Sequence, residues 1–204
     1  MAKLTLYHAA PSRSSITRWM LEEIGEPYDI RLLNLSKGEN RGTDYLAVNP
    51  MGKVPALKHG DTVITEAAAI CAYLADEFPR AKLNVPIGTP HRGVYLKWLF
   101  FGPSCIEPAI MDRAFPRKEE ARRAALGYGD FEVMDVVANA MAKGPHLMGE
   151  QFTAADVVIG STLRWGMMFK LLPERPEFTA YTSRLAARPA AQRAEAKDKE
   201  LAAA

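Results

Sequence analysis

Apolar and polar positions alternate at the start of the chain and later recur at helical spacing, and this change of period divides it. Leu4 and Leu6 alternate with Thr5 and Tyr7, which predicts a short strand running into the loop His8–Pro11. Ile16, Trp19, Met20 and Ile24 then fall at i, i+3, i+4 and i+8, behind a serine cluster able to cap and ahead of Gly25 and Pro27. That pattern predicts a helix of about three turns. Tyr28, Ile30 and Leu32 alternate again, so the opening reads as a parallel βαβ unit, because strands joined by a helical crossover run the same way. After the polar stretch Ser36–Asp44, the runs Pro55–Lys58 and Thr62–Ile64 flank His59-Gly60-Asp61 and predict an antiparallel hairpin. Ile70, Cys71, Leu74 and Phe78 form a helical stripe ending at Pro79.

From Thr89-Pro90 onward the pattern is helical throughout. Segment 90–112 is apolar around Val94, Trp98, Phe100 and Phe101, with Gly102-Pro103 placed to kink it. Segment 117–142 carries Ala121, Ala124, Phe131, Met134, Val137 and Met141 on one face. Segment 154–172 follows the capping pair Thr153 and Asp156, and 176–188 shows Phe178, Tyr181 and Leu185. Gln192–Ala204, charged and Ala-rich, is expected to bury little. These patterns predict an α/β domain over 1–80, a linker over 81–89 and an all-helical domain over 90–204.

Composition narrows the function. With 26 Lys and Arg against 24 Asp and Glu, the net charge of +2 is too near balance for a nucleic-acid binder. The N-terminus lacks the pattern of a signal peptide and no apolar run approaches 18 residues, so a cytoplasmic protein with no membrane partner is expected. Cys71 and Cys105 sit outside any CxxC or Cys/His spacing, which argues against a disulfide framework or zinc site. The four histidines are scattered, and no metal is expected.

The order β, α, β, then β, β, α is that of a thioredoxin-like domain, whose reactive position lies where the first strand meets the first helix. Here that position reads Pro11-Ser12-Arg13-Ser14-Ser15, without cysteine, so disulfide exchange by a CxxC pair is excluded. Four stretches together, LTLYHAAPSRSS, YLAVNPMGKVPAL, TEAAAICAYL and FTAADVVIG, resemble the glutathione S-transferases over about residues 3 to 195. The serine-rich loop is most similar to bacterial and fungal classes that hold serine or cysteine there. The resemblance implies a thioredoxin-like N-terminal domain followed by an all-α domain, glutathione as cosubstrate, a small hydrophobic electrophile as second substrate and a homodimer. A glutathione-dependent disulfide reductase or peroxidase, and a non-catalytic interaction protein, are the alternative functions this fold allows.

Glutathione conjugation makes a definite physical demand. A free thiol has a pKa of about 8.5, so attack at neutral pH needs the thiolate stabilised by roughly 1.4 to 2.7 kcal/mol. One hydrogen bond to a charged acceptor contributes about 1.5 to 3 kcal/mol, and a helix N-terminus adds roughly 0.3 to 1. Ser12 is the best placed donor, with Ser14 and Ser15 open and Tyr7 resembling the donor of tyrosine classes; the plainer alternatives are a capping serine and a packed tyrosine. By resemblance, Val54 before a cis Pro55 offers its backbone to the cysteinyl unit. The same resemblance implies that Glu66 and Ala67 take the γ-glutamyl end and Lys53 the glycyl carboxylate, against the plainer readings of a helix-dipole acid and a solvated lysine. Ala67 departs from the family's usual serine and removes one hydroxyl bond. Phe101, Ser104 and Trp165 are candidates for the electrophile pocket, against the plainer reading of aromatics at helical spacing as core.

Overall fold

The computed structural model describes residues 3–115 and 132–203, which form two compact units. The first comprises residues 1–83 and 187–204, and the second residues 84–186.

In the first unit β1 (Leu4–His8), β2 (Tyr28–Leu32), β3 (Ala56–His59) and β4 (Thr62–Thr65) make one sheet in the order β2-β1-β3-β4. β1 pairs parallel with β2 and antiparallel with β3, and β3 pairs antiparallel with β4. The crossover is α1 (Ser14–Ile24), which stops at Gly25, whose φ of 74° is the left-handed cap that glycine adopts without penalty. The polar stretch after β2 contains a short 3-10 turn and the one-turn helix α2 (Thr43–Leu46), and α3 (Ala67–Glu77) follows β4. α1 is buried on nearly every side, from Ile16 through Glu22, because α3 and a later helix pack against it as well as the sheet.

That later helix forms from the charged tail, contrary to the expectation that Gln192–Ala204 buries little. It starts at Pro189 and runs to Ala203, and belongs to the first unit, not to the helical one that the sequence pattern assigned it to. Ala190, Ala191 and Ala194 are buried, their small side chains allowing close approach to α1. The charges are paired with partners far along the chain. Arg188 donates two bonds to Glu23, at 2.7 and 2.8 Å, and Arg193 and Lys197 both reach Glu22. Tyr28 donates to the same Glu22 carboxylate at 2.5 Å.

The second unit contains α4 (His91–Phe101), α5 (Glu107–Ala114), α6 (Glu132–Met141), α7 (Ala154–Met168) and α8 (Pro176–Ala186); the tail helix is therefore α9 (Pro189–Ala203). The expected kink at Gly102-Pro103 is a π-helical turn, Gly102–Ile106, between α4 and α5. Of the segment 117–142, Ala121, Ala124 and Phe131 lie outside the described residues, whereas Met134, Val137 and Met141 are buried on α6. α7 is the centre of this unit, with Val157, Val158, Ile159 and Leu163 all buried. Its start is held by Asp156, whose carboxylate accepts from the Thr153 N–H at 2.8 Å, the Leu147 N–H at 2.9 Å and the Tyr181 hydroxyl at 2.8 Å. Among the described residues, no helix is long and apolar enough to cross a membrane.

Candidate active site

Strand register gathers three segments at one end of the sheet. Tyr7 stands opposite Ala56, and Ala56 opposite Thr65, so the loop after β1, the loop before β3 and the start of α3 all leave the sheet at that end. These are the segments that hold Ser12, Lys53 with Val54, and Glu66 with Ala67.

The three loop serines differ in what they contact. Ser12 is half-buried, and its Oγ accepts the Ser14 N–H at 3.0 Å and lies 2.6 Å from Ser14 Oγ. Ser14 is fully buried: its Oγ accepts the Ala9 N–H at 3.1 Å and lies 2.8 Å from His8 Nδ1. Ser15 donates to Asp198 on α9. Ser12 therefore accepts a first-turn N–H of α1 from a half-buried position, while Ser14 is tied to the buried His8 and Ser15 to α9. No acidic residue of α1 itself occupies that first turn; the carboxylate that meets it is Asp198, through Ser15. Tyr7 is half-buried, with its ring 5.5 Å from that of Tyr45.

The loop before β3 is fixed through its backbone. Tyr45 and Asn49 both donate to the Lys53 carbonyl, at 2.6 and 2.7 Å, and Asn40 donates to the Gly52 carbonyl at 2.8 Å. Gly52 has φ 61° and packs so tightly that a Cβ there would meet Asn40 O and Arg41 Nη1 at 2.8 Å. The Lys53 side chain is exposed, Val54 is half-buried, and the Val54–Pro55 peptide is cis. Tyr45 and Asn49 are part of the quoted sequence stretch, but only the structure shows that they clamp the residue before Val54.

Glu66 is exposed at the start of α3 with φ 68° and ψ 116°, a backbone conformation that costs a non-glycine residue about 1 to 3 kcal/mol. The first turn of α3 is Ala67-Ala68-Ala69, with no acidic side chain and no side-chain cap. Its leading N–H groups are thus available to an anion.

In the second unit Phe101 stacks edge-on against Trp98 at 5.2 Å, while Trp165 pairs with Phe169 at 4.9 Å. Ser104 is exposed on the π-helical turn next to Phe101. Sequence reasoning missed two residues close to the serine loop, His8 and Asp198. His8 had a signal, since it continues the buried positions Leu4 and Leu6 at period two. Asp198 had none, because its partners lie 180 and 183 positions away.

The family profile of the glutathione S-transferase N-terminal domain matches residues 2–76, and that of the C-terminal domain matches residues 96–189. The chain belongs to the glutathione S-transferase family. Glutathione S-transferase GstA of Escherichia coli O157:H7 is 30% identical over 192 residues, covering 93% of this chain and 96% of its own. The crystal structure of a glutathione transferase from Methylococcus capsulatus str. Bath superposes with a TM-score of 0.81 at 32% identity, covering 96% of this chain and 98% of that one. A glutathione transferase homologue from Sulfitobacter, solved with bound glutathione, gives a TM-score of 0.76 at 25% identity over 97% and 99% of the two chains.

Proposed function

We propose that this glutathione S-transferase conjugates glutathione to a small apolar electrophile, with Ser12 donating the hydrogen bond that stabilises the thiolate. The observation that carries the reading is the place of Ser12: a half-buried hydroxyl at the start of α1, its oxygen fixed by Ser14, at the sheet end shared with Val54 and Glu66. Ser14 and Ser15 are occupied by interior partners, and Tyr7 packs on Tyr45, which favours Ser12 over each of them.

The remaining roles follow from the chemistry of the tripeptide. The Val54 backbone pairs with the cysteinyl unit. The Glu66 carboxylate takes the ammonium, and the Ala67 N–H takes the α-carboxylate with help from the helix dipole. Lys53, exposed and free to swing, neutralises the glycyl carboxylate. Phe101, Ser104 and Trp165 supply the electrophile's surface. A homodimer in the cytoplasm is part of the same proposal.

Ser12→Ala is expected to lower conjugation of an aryl halide at least tenfold, in line with loss of a bond worth about 1.5 to 3 kcal/mol to a charged acceptor. The accompanying loss of the Ser14 N–H cap is expected to reduce stability by about 1 kcal/mol. Unchanged turnover in Ser12→Ala sinks the assignment.

A further inference from the structure

His8 and Ser14 have no place in the glutathione contacts proposed above, yet both are buried polar residues directly behind Ser12. They connect it to an anion. Ser12 Oγ lies 2.6 Å from Ser14 Oγ, Ser14 Oγ lies 2.8 Å from His8 Nδ1, and His8 Nε2 lies 3.2 Å from Asp198 Oδ1. Nε2 makes no well-aligned hydrogen bond among the described residues, so the carboxylate is what this buried nitrogen faces.

Proton counting limits how the row is wired. A hydroxyl has one proton and two lone pairs. Ser14 Oγ spends one lone pair on the Ala9 N–H, which leaves one lone pair and one proton for Ser12 and His8; the Ala9 carbonyl at 3.1 Å is a longer alternative for that proton. Two wirings satisfy both short contacts. With Nδ1 bare, Ser12 donates to Ser14 and Ser14 donates to His8. With Nδ1 protonated, His8 donates to Ser14 and Ser14 donates to Ser12. In that second wiring Ser12 Oγ also accepts the Ser14 N–H, both its lone pairs are used, and its own proton turns outward.

The two wirings differ by one proton, and a thiol supplies one. We infer that His8 accepts the glutathione thiol proton through Ser12 and Ser14, with Asp198 holding the imidazolium that results; this rests on Ser12 being the residue that meets the sulfur. The S–H bond breaks as its proton passes to Ser12 Oγ, the Ser12 proton passes to Ser14, and the Ser14 proton forms the Nδ1–H bond of His8. No electrons are exchanged. The thiolate then accepts from Ser12, and its charge is matched by a buried cation.

The surroundings of His8 suit this role. Burial pushes the Asp198 carboxyl up, but the His8 ring facing it and the hydrogen bonds from Ser15 and Arg18 together outweigh it and hold the group below its ordinary value, so it remains an anion. Arg18 from α1 shares Asp198 Oδ1 at 2.6 Å, and Ser15 takes the other oxygen. Asp198 is thus held in place by contacts of its own, and both it and His8 are positioning residues that act through Ser12.

The test reads the pKa of the thiol in the glutathione complex of the full chain, from its ultraviolet thiolate band against pH. Asp198→Asn is expected to raise it by about one unit, the equivalent of roughly a tenfold loss of thiolate at a pH below that pKa. Ser12→Ala is expected to raise it at least as far, and Ser12→Ala with Asp198→Asn no further than Ser12→Ala alone. His8→Gln, whose amide no longer stands at the place of Nδ1, is expected to match Asp198→Asn and serves if that variant fails to fold, which its thermal unfolding reports. A bound thiol unmoved by Asp198→Asn or by His8→Gln overturns the relay and leaves Ser12 as donor. Additive rises in the double variant also overturn it, because Asp198 would then act without Ser12. A thiol unmoved by Ser12→Ala overturns the reading beneath both.

Discussion

Asp156→Ala is expected to cost the second unit several kcal/mol, although its side chain touches no part of the candidate active site. The carboxylate is fully buried and accepts from the Thr153 N–H, the Leu147 N–H and the Tyr181 hydroxyl, with the Thr153 hydroxyl as a fourth donor at 3.1 Å. Burial and the neighbouring Asp156 charge push the Tyr181 hydroxyl well above its ordinary value, so it stays a proton donor at any working pH. The Thr153 hydroxyl can rotate to another acceptor, whereas the two backbone N–H groups and the phenol cannot. Three buried donors left without a partner cost about 1 to 3 kcal/mol each. A water molecule entering the space of the lost carboxylate brings the expected total to the low end, about 3 to 5 kcal/mol. Against a total stability of roughly 5 to 15 kcal/mol, that is a large fraction. Urea unfolding followed by far-ultraviolet circular dichroism measures it, and Asp156→Asn, which keeps one acceptor oxygen, is expected to lose about half as much. A loss under about 1 kcal/mol for the alanine variant refutes the reasoning, because it means the three donors find other partners at little cost.

Three further predictions concern other positions. Glu66→Gly is expected to leave the unfolding midpoint unchanged or raised, since glycine adopts a φ of 68° freely, while the KM for glutathione rises about tenfold through loss of a charge-assisted bond; steady-state kinetics and thermal unfolding read the two effects separately. Gly160→Ala places a Cβ 2.4 Å from Leu185 Cδ1 and is expected to destabilise by about 1 to 3 kcal/mol, a smaller loss in urea unfolding if the Leu185 side chain swings away. Burial pushes the Glu22 carboxyl up, but hydrogen bonds from Lys197, Tyr28 and Arg193 outweigh it and hold the group below its ordinary 4.5. Its stabilising effect is therefore full above that pH and lost as the pH falls through the lowered folded value, so Glu22→Gln is expected to flatten the acid limb of a stability-against-pH curve.

What could be read from the sequence followed from period and punctuation. Leu4, Leu6 and the alternating Tyr28–Leu32 run gave the paired strands, and Gly25 marked the end of α1, because these signals act between residues a few positions apart. The charged tail misled because its composition is that of a solvated helix; its burial depends on Glu22, Glu23 and Arg18, which no local pattern connects to it. Within the site, Ser12, Ser14 and Ser15 are interchangeable by spacing. What separates them is which partner each Oγ meets, Ser14 for Ser12, His8 for Ser14 and Asp198 for Ser15, which depends on the first turn of α1. The Lys53 carbonyl clamp was equally illegible, since Tyr45 and Asn49 act there on a backbone atom and not through a recognisable side-chain motif.

The return of α9 to α1 makes the first unit discontinuous in sequence, with bonds that span 165 to 183 positions and the whole of the second unit between their ends. During synthesis at about 5 to 20 residues per second, α1 must wait roughly ten seconds or more for the helix that covers it. Over that interval Glu22, Glu23 and Arg18 lack their ion-pair partners Lys197 with Arg193, Arg188 and Asp198, while residues 84–186 are uninterrupted in the chain. The second unit therefore has its whole sequence before the first does, and the first unit is completed last, by contacts whose long loop closure makes them slow to form.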